Sequence, residues 1–217
     1  MLITKIVDEV TESNCYIITD GTIQDIIVID PNNFKSIQKC IGINNKRNIK
    51  VLLTHEHYDH ICGLNELRDH YKCVVISTEK CSNAIQNSIE NHSKSFGVYL
   101  HFLGKDEYRK ELKEYICKPS DIIFEDCYEI IENNCHINIQ KTPGHSPGGC
   151  CIIINGKYLF TGDSLLWGKT IINSRGGNKK IYEEYTYHWL YGLDDNLLVY
   201  PGHGKEFLLK ERKRVVF

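Results

Sequence analysis

The sequence lacks several features that would have assigned it to a particular class of protein. Its 26 lysines and arginines nearly balance its 28 aspartates and glutamates, so a net charge of −2 provides no cationic excess for nucleic acid and disfavours a nuclease. No apolar run is long enough to span a bilayer, and the N-terminus lacks the hydrophobic region of a signal peptide. We therefore expect a cytoplasmic protein that binds neither nucleic acid nor membrane.

Redox motifs and linkers are also missing. None of the ten cysteines forms a C-x-x-C pair, and Cys150 and Cys151 are adjacent within an apolar strand, so we predict buried free thiols rather than disulfides. No long linker divides the 217 residues, which predicts one domain over residues 1–217. Neither composition nor pattern indicates an oligomeric state.

What the sequence does contain is a cluster of histidines after an apolar strand, in the stretch Thr54-His55-Glu56-His57-Tyr58-Asp59-His60. In an extended segment, side chains two residues apart point the same way, so His55 and His57 can converge on one ion. Asp59 and His60 lie where we predict that a helix starts, so they project in another direction. The helical H-E-x-x-H motif is excluded because Asp59 stands where that motif needs its second histidine. This arrangement of imidazoles and carboxylate predicts divalent metal ions.

The remaining segments alternate strands with helices. A carboxylate at the end of an early strand, Asp30, is predicted to support a ligating histidine rather than to bind metal itself. Asn133-Asn134 and Asn155-Gly156 are typical of tight turns between strands. Strands are predicted over 2–7, 14–19, 26–29, 49–54, 73–77, 122–131, 135–141, 150–154, 158–160 and 197–200, and helices over 34–41, 61–71, 78–93, 105–115 and from 181 to 191. Two strand-rich halves with interspersed helices predict a sandwich of two sheets covered by helices.

Four motifs occur in an order that resembles the metallo-β-lactamase superfamily, and more closely its glyoxalase II-like hydrolases. They are His55-Glu56-His57-Tyr58-Asp59-His60, Thr142-Pro143-Gly144-His145-Ser146-Pro147-Gly148, Phe160-Thr161-Gly162-Asp163-Ser164-Leu165 and Tyr200-Pro201-Gly202-His203-Gly204. The resemblance spans nearly the whole chain. It implies an α+β fold, a four-layer αββα sandwich of two mixed sheets.

The resemblance also implies which residues bind metal. His55, His57 and His145 correspond to one metal position of the family; Asp59, His60 and His203 correspond to the other, and Asp163 to the carboxylate that bridges both. The implied cofactors are two divalent metal ions, for which zinc is expected and iron or manganese also suits the ligands. A hydroxide bridging the ions is the expected nucleophile, with Asp59 orienting it as a catalytic residue.

The favoured function is therefore hydrolysis of a thioester or related small-molecule acyl compound, similar to that of a hydroxyacylglutathione hydrolase. Lactonase activity needs the same ligands and stays open. A mononuclear iron persulfide dioxygenase, which resembles this family, would use mainly the first metal position. A metal-binding scaffold that lacks activity is the non-enzymatic alternative. Antibiotic hydrolysis is disfavoured, because the β-lactamases of the superfamily typically carry other ligands at the second position, often including a cysteine.

Three regions depart from the glyoxalase II pattern. The chain ends at Phe217 without the helical C-terminal domain that helps to hold glutathione in the larger enzymes. The family's Gly-Arg-Thr-Asp stretch is missing, which leaves Arg175 and Lys179, with Lys180, as candidates for binding an anionic substrate group or as a solvated loop. Residues 94–119 carry an aromatic cluster, and we predict either a lid over the active site or a peripheral helix packed on the sheet.

Overall fold

The computed structural model describes residues 1–19, 25–132, 135–172 and 176–212. The predicted Asn133-Asn134 turn and Arg175 lie outside these ranges. Within them the chain forms twelve strands: β1 Leu2–Val7, β2 Asn14–Thr19, β3 Ile26–Ile29, β4 Ile49–Leu52, β5 Cys73–Thr78, β6 Ile122–Phe124, β7 Cys127–Glu132, β8 Cys135–Lys141, β9 Cys150–Ile154, β10 Tyr158–Gly162, β11 Leu198–Pro201 and β12 Phe207–Leu208.

The strands build two mixed six-stranded sheets. The first has the order β1-β2-β3-β4-β5-β6 and the second the order β12-β11-β10-β9-β8-β7. In the first sheet the pairs β3–β4, β4–β5 and β5–β6 are parallel, and in the second the pair β10–β11 is parallel. The other neighbouring pairs are antiparallel.

Alternating side chains of the central strands explain the layers. In β2, Tyr16 and Ile18 pack between the two sheets, where they meet Ile152 and Phe160 of the second sheet. Ile17, on the opposite face of the same strand, belongs to a separate apolar cluster with the helices. Because successive strand residues point to opposite faces, a strand that is apolar throughout must be covered on both sides.

Helices cover the outer face of each sheet. Ile37, Ile61 and Leu67 pack from three helices onto the first sheet, and Leu190 packs onto the second. The helices are α1 Phe34–Ile41, α2 Tyr58–Ile61, α3 Leu64–His70, α4 Glu79–Ala84, α5 Phe96–Phe102, α6 Lys179–Ile181 and α7 His188–Gly192, with a π-helical segment, Tyr182–Tyr187, joining the last two. The predicted αββα sandwich of two mixed sheets is therefore confirmed.

Several predicted elements are wrong in their extent. The predicted helix 78–93 ends at Ala84, because the Asn87 side chain accepts the backbone N–H of Ile89 at 2.9 Å and so competes with helical hydrogen bonding. The predicted helix 105–115 is a 3₁₀ helix, Asp106–Glu111. The predicted helix 61–71 begins earlier as α2 and is divided from α3 at Gly63.

The predicted strand 122–131 is two strands that belong to different sheets. β6 pairs with β5 in the first sheet, whereas β7 pairs with β8 in the second. The exposed Glu125 and Asp126 lie between them, and the Asp126 carbonyl accepts the backbone N–H of Lys141 at 2.8 Å as the chain crosses over. Long-range pairing, rather than local propensity, sets this boundary.

The thiol prediction is confirmed in part. None of the ten cysteines forms a disulfide, but Cys40 and Cys127 are exposed, and Cys62 and Cys73 are half-buried, rather than buried. No described helix combines the length and the apolarity needed to cross a bilayer.

Candidate metal centre

Strand β4 and the turn after it deliver the first four candidate ligands. The strand ends at Leu52, and His57, which directly precedes α2, has an extended backbone with φ −64° and ψ 143°. Asp59 and His60 are in the first turn of α2, as the change of backbone direction after Tyr58 predicts. All four side chains are largely buried, which is unusual for such polar groups without a partner of opposite charge or a metal.

His55, His57 and His145 form the first cluster. Each offers one ring nitrogen within 4.8 Å of the others, and Nε2 of His145 lies 3.1 Å from Nδ1 of His57. On the far side of its ring, Nδ1 of His145 donates to the Ile171 carbonyl at 2.6 Å. That hydrogen bond leaves Nε2 unprotonated and directed into the cluster, as metal ligation requires.

Asp59, His60 and His203 form the second cluster, again with one ligand atom from each within 4.8 Å of the others. Nε2 of His203 lies 3.2 Å from Oδ2 of Asp59, and Nε2 of His60 lies 3.5 Å from the same oxygen. Nδ1 of His203 donates to the backbone carbonyl of Glu12 at 3.0 Å, so this ring is also fixed from behind.

Asp163, the residue directly after β10, lies between the clusters. Its Oδ2 is 3.7 Å from Nε2 of His145 in the first cluster and 3.6 Å from Nε2 of His203 in the second. Its Oδ1 is 3.5 Å from Nε2 of His60. One carboxylate thus contacts members of both clusters, the arrangement expected of a group shared by two ions.

Several buried ligand atoms lack a hydrogen-bond partner, and this suits the donor set to divalent cations. Within the described residues, buried polar atoms without a hydrogen-bond partner include Nε2 of His55, Nε2 of His60 and Oδ1 of Asp163. Leaving such groups unsatisfied costs about 1–3 kcal/mol each, more for charged ones. Cations at this position would satisfy all three, so the clusters can hold metal.

Protonation in the centre also favours cations. Burial lowers the pKa of His55 and of His57 well below the ordinary value, which keeps both imidazoles in the neutral, ligating form. Burial alone would lower the pKa of His60 as well, but the carboxylates of Asp59 and Asp163 raise it to about 10. A positive charge is therefore favoured where these two carboxylates converge.

Asp30 supports the centre from β3, as predicted. Its Oδ1 accepts the backbone N–H of Thr54 at 2.8 Å, and its Oδ2 accepts the Thr54 hydroxyl at 2.6 Å. Oδ2 also lies 3.2 Å from Nδ1 of His60. Asp30, His55 and His60 are close enough to form a third metal-binding group, but Asp30 already accepts three hydrogen bonds. Its geometry therefore fits orientation of the His60 ring.

Glu56 joins the first motif to the loop that carries His145. Its side chain is buried and belongs to neither cluster of candidate ligands. Oε2 accepts the Ser146 hydroxyl at 3.0 Å, and Oε1 accepts the backbone N–H of Gly148 at 3.3 Å. No local pattern in the sequence predicts Ser146 and Gly148 as partners of Glu56, because they lie about 90 positions away along the chain.

Tyr182 links the His145 loop to the loop that carries Asp163. Its hydroxyl donates to the Ser164 carbonyl, next to Asp163, at 2.6 Å. Its backbone lies so close to Gly144, next to His145, that a Cβ at Gly144 would be 2.6 Å from Cα of Tyr182. Gly144 has φ 132°, which a residue with a side chain rarely adopts. The predicted packing role of this helical segment holds for Tyr182, but Tyr185 is 64% exposed.

A cavity of about 430 Å³ opens over the two clusters. Five of the candidate ligands line it: His57, Asp59, His145, Asp163 and His203. Its apolar walls come from Phe96 and Tyr99 of α5 and from Leu166 and Ile171 of the loop after Asp163, and its other polar lining residues are Glu12, Ser95 and His92.

His92 is a residue of this cavity that sequence reasoning missed. Its ring stacks on His57 with centroids 4.3 Å apart and planes at 24°. The backbone of His92 is left-handed, with φ 68° and ψ 0°. Histidine is among the residues that adopt this conformation more often than most. The turn-forming neighbours Asn91 and Ser93 were the only local signal, and they say nothing about the distance to His57.

Neither Lys179 nor Lys180 is among the described residues that line the cavity. Arg175 lies outside the described residues. The side chain of Lys179 is 60% exposed and lies 3.5 Å from Glu183, one helical turn later. Lys180 is 82% exposed and pairs with Glu184 at 3.8 Å. The position of Lys179 therefore gives no support to the prediction that it binds substrate.

Comparison with known proteins agrees with the order and geometry of these motifs. The metallo-beta-lactamase superfamily matches residues 8–203, a range that begins before the first motif and ends at His203. The chain belongs to the metallo-beta-lactamase superfamily. Divalent metals are characteristic of that superfamily, which agrees with the ability of the two clusters to hold them.

Among curated relatives, a probable metallo-hydrolase of Streptococcus pyogenes serotype M6 is 27% identical over 207 residues, covering 94% of this chain and 84% of the relative. A probable polyketide biosynthesis zinc-dependent hydrolase of Bacillus subtilis is 24% identical over 192 residues, covering 87% and 72%. Among solved structures, the BLEG-1 B3 metallo-beta-lactamase superposes with a TM-score of 0.80 at 19% identity, covering 97% of this chain and 96% of that one. Similarity at that identity establishes the fold alone.

Proposed function

We propose that this member of the superfamily is a dinuclear metal-dependent hydrolase of a thioester or a related acyl compound. The observation that carries the proposal is the position of Asp163, whose carboxylate lies 3.7 Å from His145 of one cluster and 3.6 Å from His203 of the other. Such a shared carboxylate suits two ions side by side. Relatives named as metallo-hydrolases support the hydrolase class.

In this proposal each cluster holds one divalent cation, for which we propose zinc; iron and manganese also suit nitrogen and carboxylate ligands. The first position takes His55, His57 and His145. The second takes Asp59, His60 and His203, and Asp163 is shared. When bound, such a pair of cations makes hydroxide available near neutral pH and polarises an acyl carbonyl.

The protein groups then position the attacking water. Burial alone would raise the pKa of Asp59, but the imidazoles of His60 and His203 hold it well below its usual range, so Asp59 remains a carboxylate. A carboxylate only accepts hydrogen bonds, which suits it to orient the water toward the substrate. Its backbone is fixed because the Ser13 hydroxyl donates to the Asp59 carbonyl at 2.7 Å.

Thioesters suit the groups around this site. The water oxygen adds to the acyl carbon, the carbon–sulfur bond breaks, and the hydrogens of the water end on the carboxylic acid and the thiol. A thiolate leaves without prior protonation, so the reaction depends on activated water more than on a strong general acid. Lactones have the same requirement and remain the alternative substrate. The complete second cluster weighs against a mononuclear iron dioxygenase.

The test is elemental analysis of the purified protein combined with hydrolysis of S-lactoylglutathione, other thioesters and lactones on the same sample. We expect about two zinc-like ions per chain and thioester cleavage. Asp163→Ala should abolish hydrolysis and lower the metal content. Asp126→Ala is the matched control, because the Asp126 side chain is 82% exposed and belongs neither to the clusters nor to the cavity lining.

Each of the other outcomes would support an alternative function or exclude part of the proposal. Two ions with cleavage of lactones alone would make it a lactonase, and one iron with sulfur oxygenation would make it a dioxygenase. A metal-replete protein that is inert toward acyl compounds would be a scaffold. Near-normal turnover by Asp163→Ala would exclude the shared carboxylate, and a protein that takes up no metal would exclude the proposal as a whole.

A further inference from the structure

We propose that the cavity over the metal centre binds an uncharged, apolar acyl group, aromatic or medium-length aliphatic, and that the ring of Tyr99 is the wall that recognises it. This inference rests on the proposed acyl hydrolase function and specifies its substrate class. The cavity volume of about 430 Å³ lies within the range of roughly 300–1,000 Å³ that is typical of small-molecule sites.

The walls of the cavity are apolar, whereas the candidate metal ligands make its floor polar. Tyr99 and Phe96 approach from α5, while Leu166 and Ile171 come from the loop after Asp163. Tyr99 is 38% exposed and Ile171 is 54% exposed, so both leave apolar surface in contact with water at a cavity mouth. An apolar group bound there would remove that surface from water, at about 25 cal/mol per Å². A short polar acyl group such as lactoyl would not.

The α5 wall is held in place before any ligand binds. The Phe96 ring packs edge-on against Tyr58 with centroids 4.9 Å apart, and it lies 5.2 Å from the Tyr99 ring. Beyond the helix, Nζ of Lys105 donates to the Val10 carbonyl at 3.0 Å, which fastens this segment to the loop between β1 and β2. A wall that is ordered in advance loses little entropy on binding. The 94–119 segment thus borders the cavity, although its lid function stays a prediction.

Apart from the proposed cations, which would take the acyl carbonyl, the described lining of the cavity offers no positive charge to an anionic acyl group. Among its described lining residues there is no lysine or arginine, and Glu12 contributes a carboxylate that pairs with Lys105 at 2.6 Å. Burial, together with the carboxylates of Asp59 and Asp163, raises the pKa of Tyr99 to about 12, so the phenol carries no charge near neutral pH. An uncharged acyl group meets neither repulsion nor an unpaired charge here.

The first experiment compares acyl groups on one uncharged leaving group, N-acetylcysteamine, with the metal-loaded full chain. The acyl groups are acetyl, butyryl, hexanoyl, phenylacetyl and lactoyl. From acetyl to hexanoyl we expect kcat/KM to rise about fourfold per added buried methylene until the cavity is filled. Phenylacetyl should exceed acetyl at least about tenfold, and lactoyl should resemble acetyl. Equal kcat/KM across the series would overturn the inference.

Three substitutions at two positions of α5 separate the role of the wall from general effects on folding. Tyr99→Ala should lower the ratio of phenylacetyl to acetyl kcat/KM at least about tenfold, because it removes the ring from the cavity. Tyr99→Phe should keep that ratio, since the ring remains. Phe102→Ala is the matched control: Phe102 is an aromatic residue of the same helix, 81% exposed, that does not line the cavity. An equal loss in Phe102→Ala would contradict the specific role of Tyr99.

Binding of the product acids distinguishes failure of this inference from failure of the proposed function. Phenylacetate and acetate share a carboxylate, so calorimetric titration of the two reports the apolar part alone. We expect phenylacetate to bind at least about tenfold tighter, with that preference lost in Tyr99→Ala. Equal binding would refute the apolar cavity even in an active hydrolase. A retained preference in a protein that cleaves no thioester would refute the hydrolase and leave the cavity standing.

Discussion

Asp30 controls which nitrogens of two candidate ligands carry protons. Its Oδ2 accepts from Nδ1 of His60 at 3.2 Å and from the Thr54 hydroxyl at 2.6 Å, and that hydroxyl lies 3.0 Å from Nδ1 of His55. Because the Thr54 hydroxyl donates to Asp30, it accepts the proton of Nδ1 in His55. When each ring carries a single proton, as metal ligation requires, that proton lies on Nδ1 and Nε2 is left to face the cation.

Asp30→Asn preserves the size of the side chain but can place an NH₂ donor against these groups. The Thr54 hydroxyl would then turn to donate to His55, which moves the proton of that ring to Nε2 and blocks ligation. We expect affinity for metal to fall about 10–100-fold, the usual effect of losing such an orienting group. Without metal, losing the two charge-assisted hydrogen bonds that Oδ2 accepts from His60 and from Thr54 should cost about 3–6 kcal/mol of unfolding free energy.

The assay is metal competition against a chromophoric chelator, with urea denaturation in the presence and absence of metal. A 10–100-fold weaker site removes about a further 1.4–2.7 kcal/mol of metal-linked stability when metal is in excess. Asp121→Asn is the control, since Asp121 also accepts a backbone N–H, that of Val75 at 2.8 Å, but lies on the surface away from the centre. Unchanged metal affinity in Asp30→Asn would refute the reasoning.

Two other contacts give predictions about stability. Tyr182→Phe removes the buried hydroxyl bonded to Ser164, and urea denaturation should show a loss of about 1–2 kcal/mol. Lys50→Met removes a cation that pairs with Asp25 and with Glu132, linking the two sheets, and should cost about 0.5–1 kcal/mol near pH 7, because these partly exposed groups are screened by solvent. Burial favours the neutral form of Asp25, but the ammonium of Lys50 lowers the pKa of that carboxyl in the folded protein. The stabilisation is therefore present above the pKa of Asp25 in the unfolded chain, and it is lost as the pH falls through the pKa of Asp25 in the folded protein. The difference between wild type and Lys50→Met should shrink below about pH 4 in denaturation measured against pH.

Each of these predictions has a control on the same surface or element. Tyr185→Phe changes an exposed tyrosine of the same helical segment as Tyr182, and a comparable loss there would contradict the assigned hydrogen bond. Lys141→Met removes another lysine next to an exposed carboxylate, Asp126, at 3.7 Å. A pH dependence for Lys50→Met no different from that of Lys141→Met would contradict the link between the sheets.

Much of the fold and of the candidate site could be predicted from the sequence, because the relevant signals are local. The apolar, β-branched runs of β1–β3 and the Asn155-Gly156 turn depend on neighbouring residues only, and the observed strands agree with the prediction. The spacing of His55, His57, Asp59 and His60 likewise fixes two directions of projection, since the backbone changes from extended to helical at Tyr58. The superfamily followed from the order of the motifs.

Only the tertiary structure decided what depends on contacts between distant segments. His145, Asp163 and His203 reach the centre from three separate loops, and Glu56 and Tyr182 hold two of those loops by contacts that leave no periodic signal. The break between β6 and β7, the left-handed His92 on His57, and the Tyr99 wall arise in the same way. Local spacing specifies direction along a strand or helix, whereas convergence in space is set by long-range packing, which no short stretch of sequence contains.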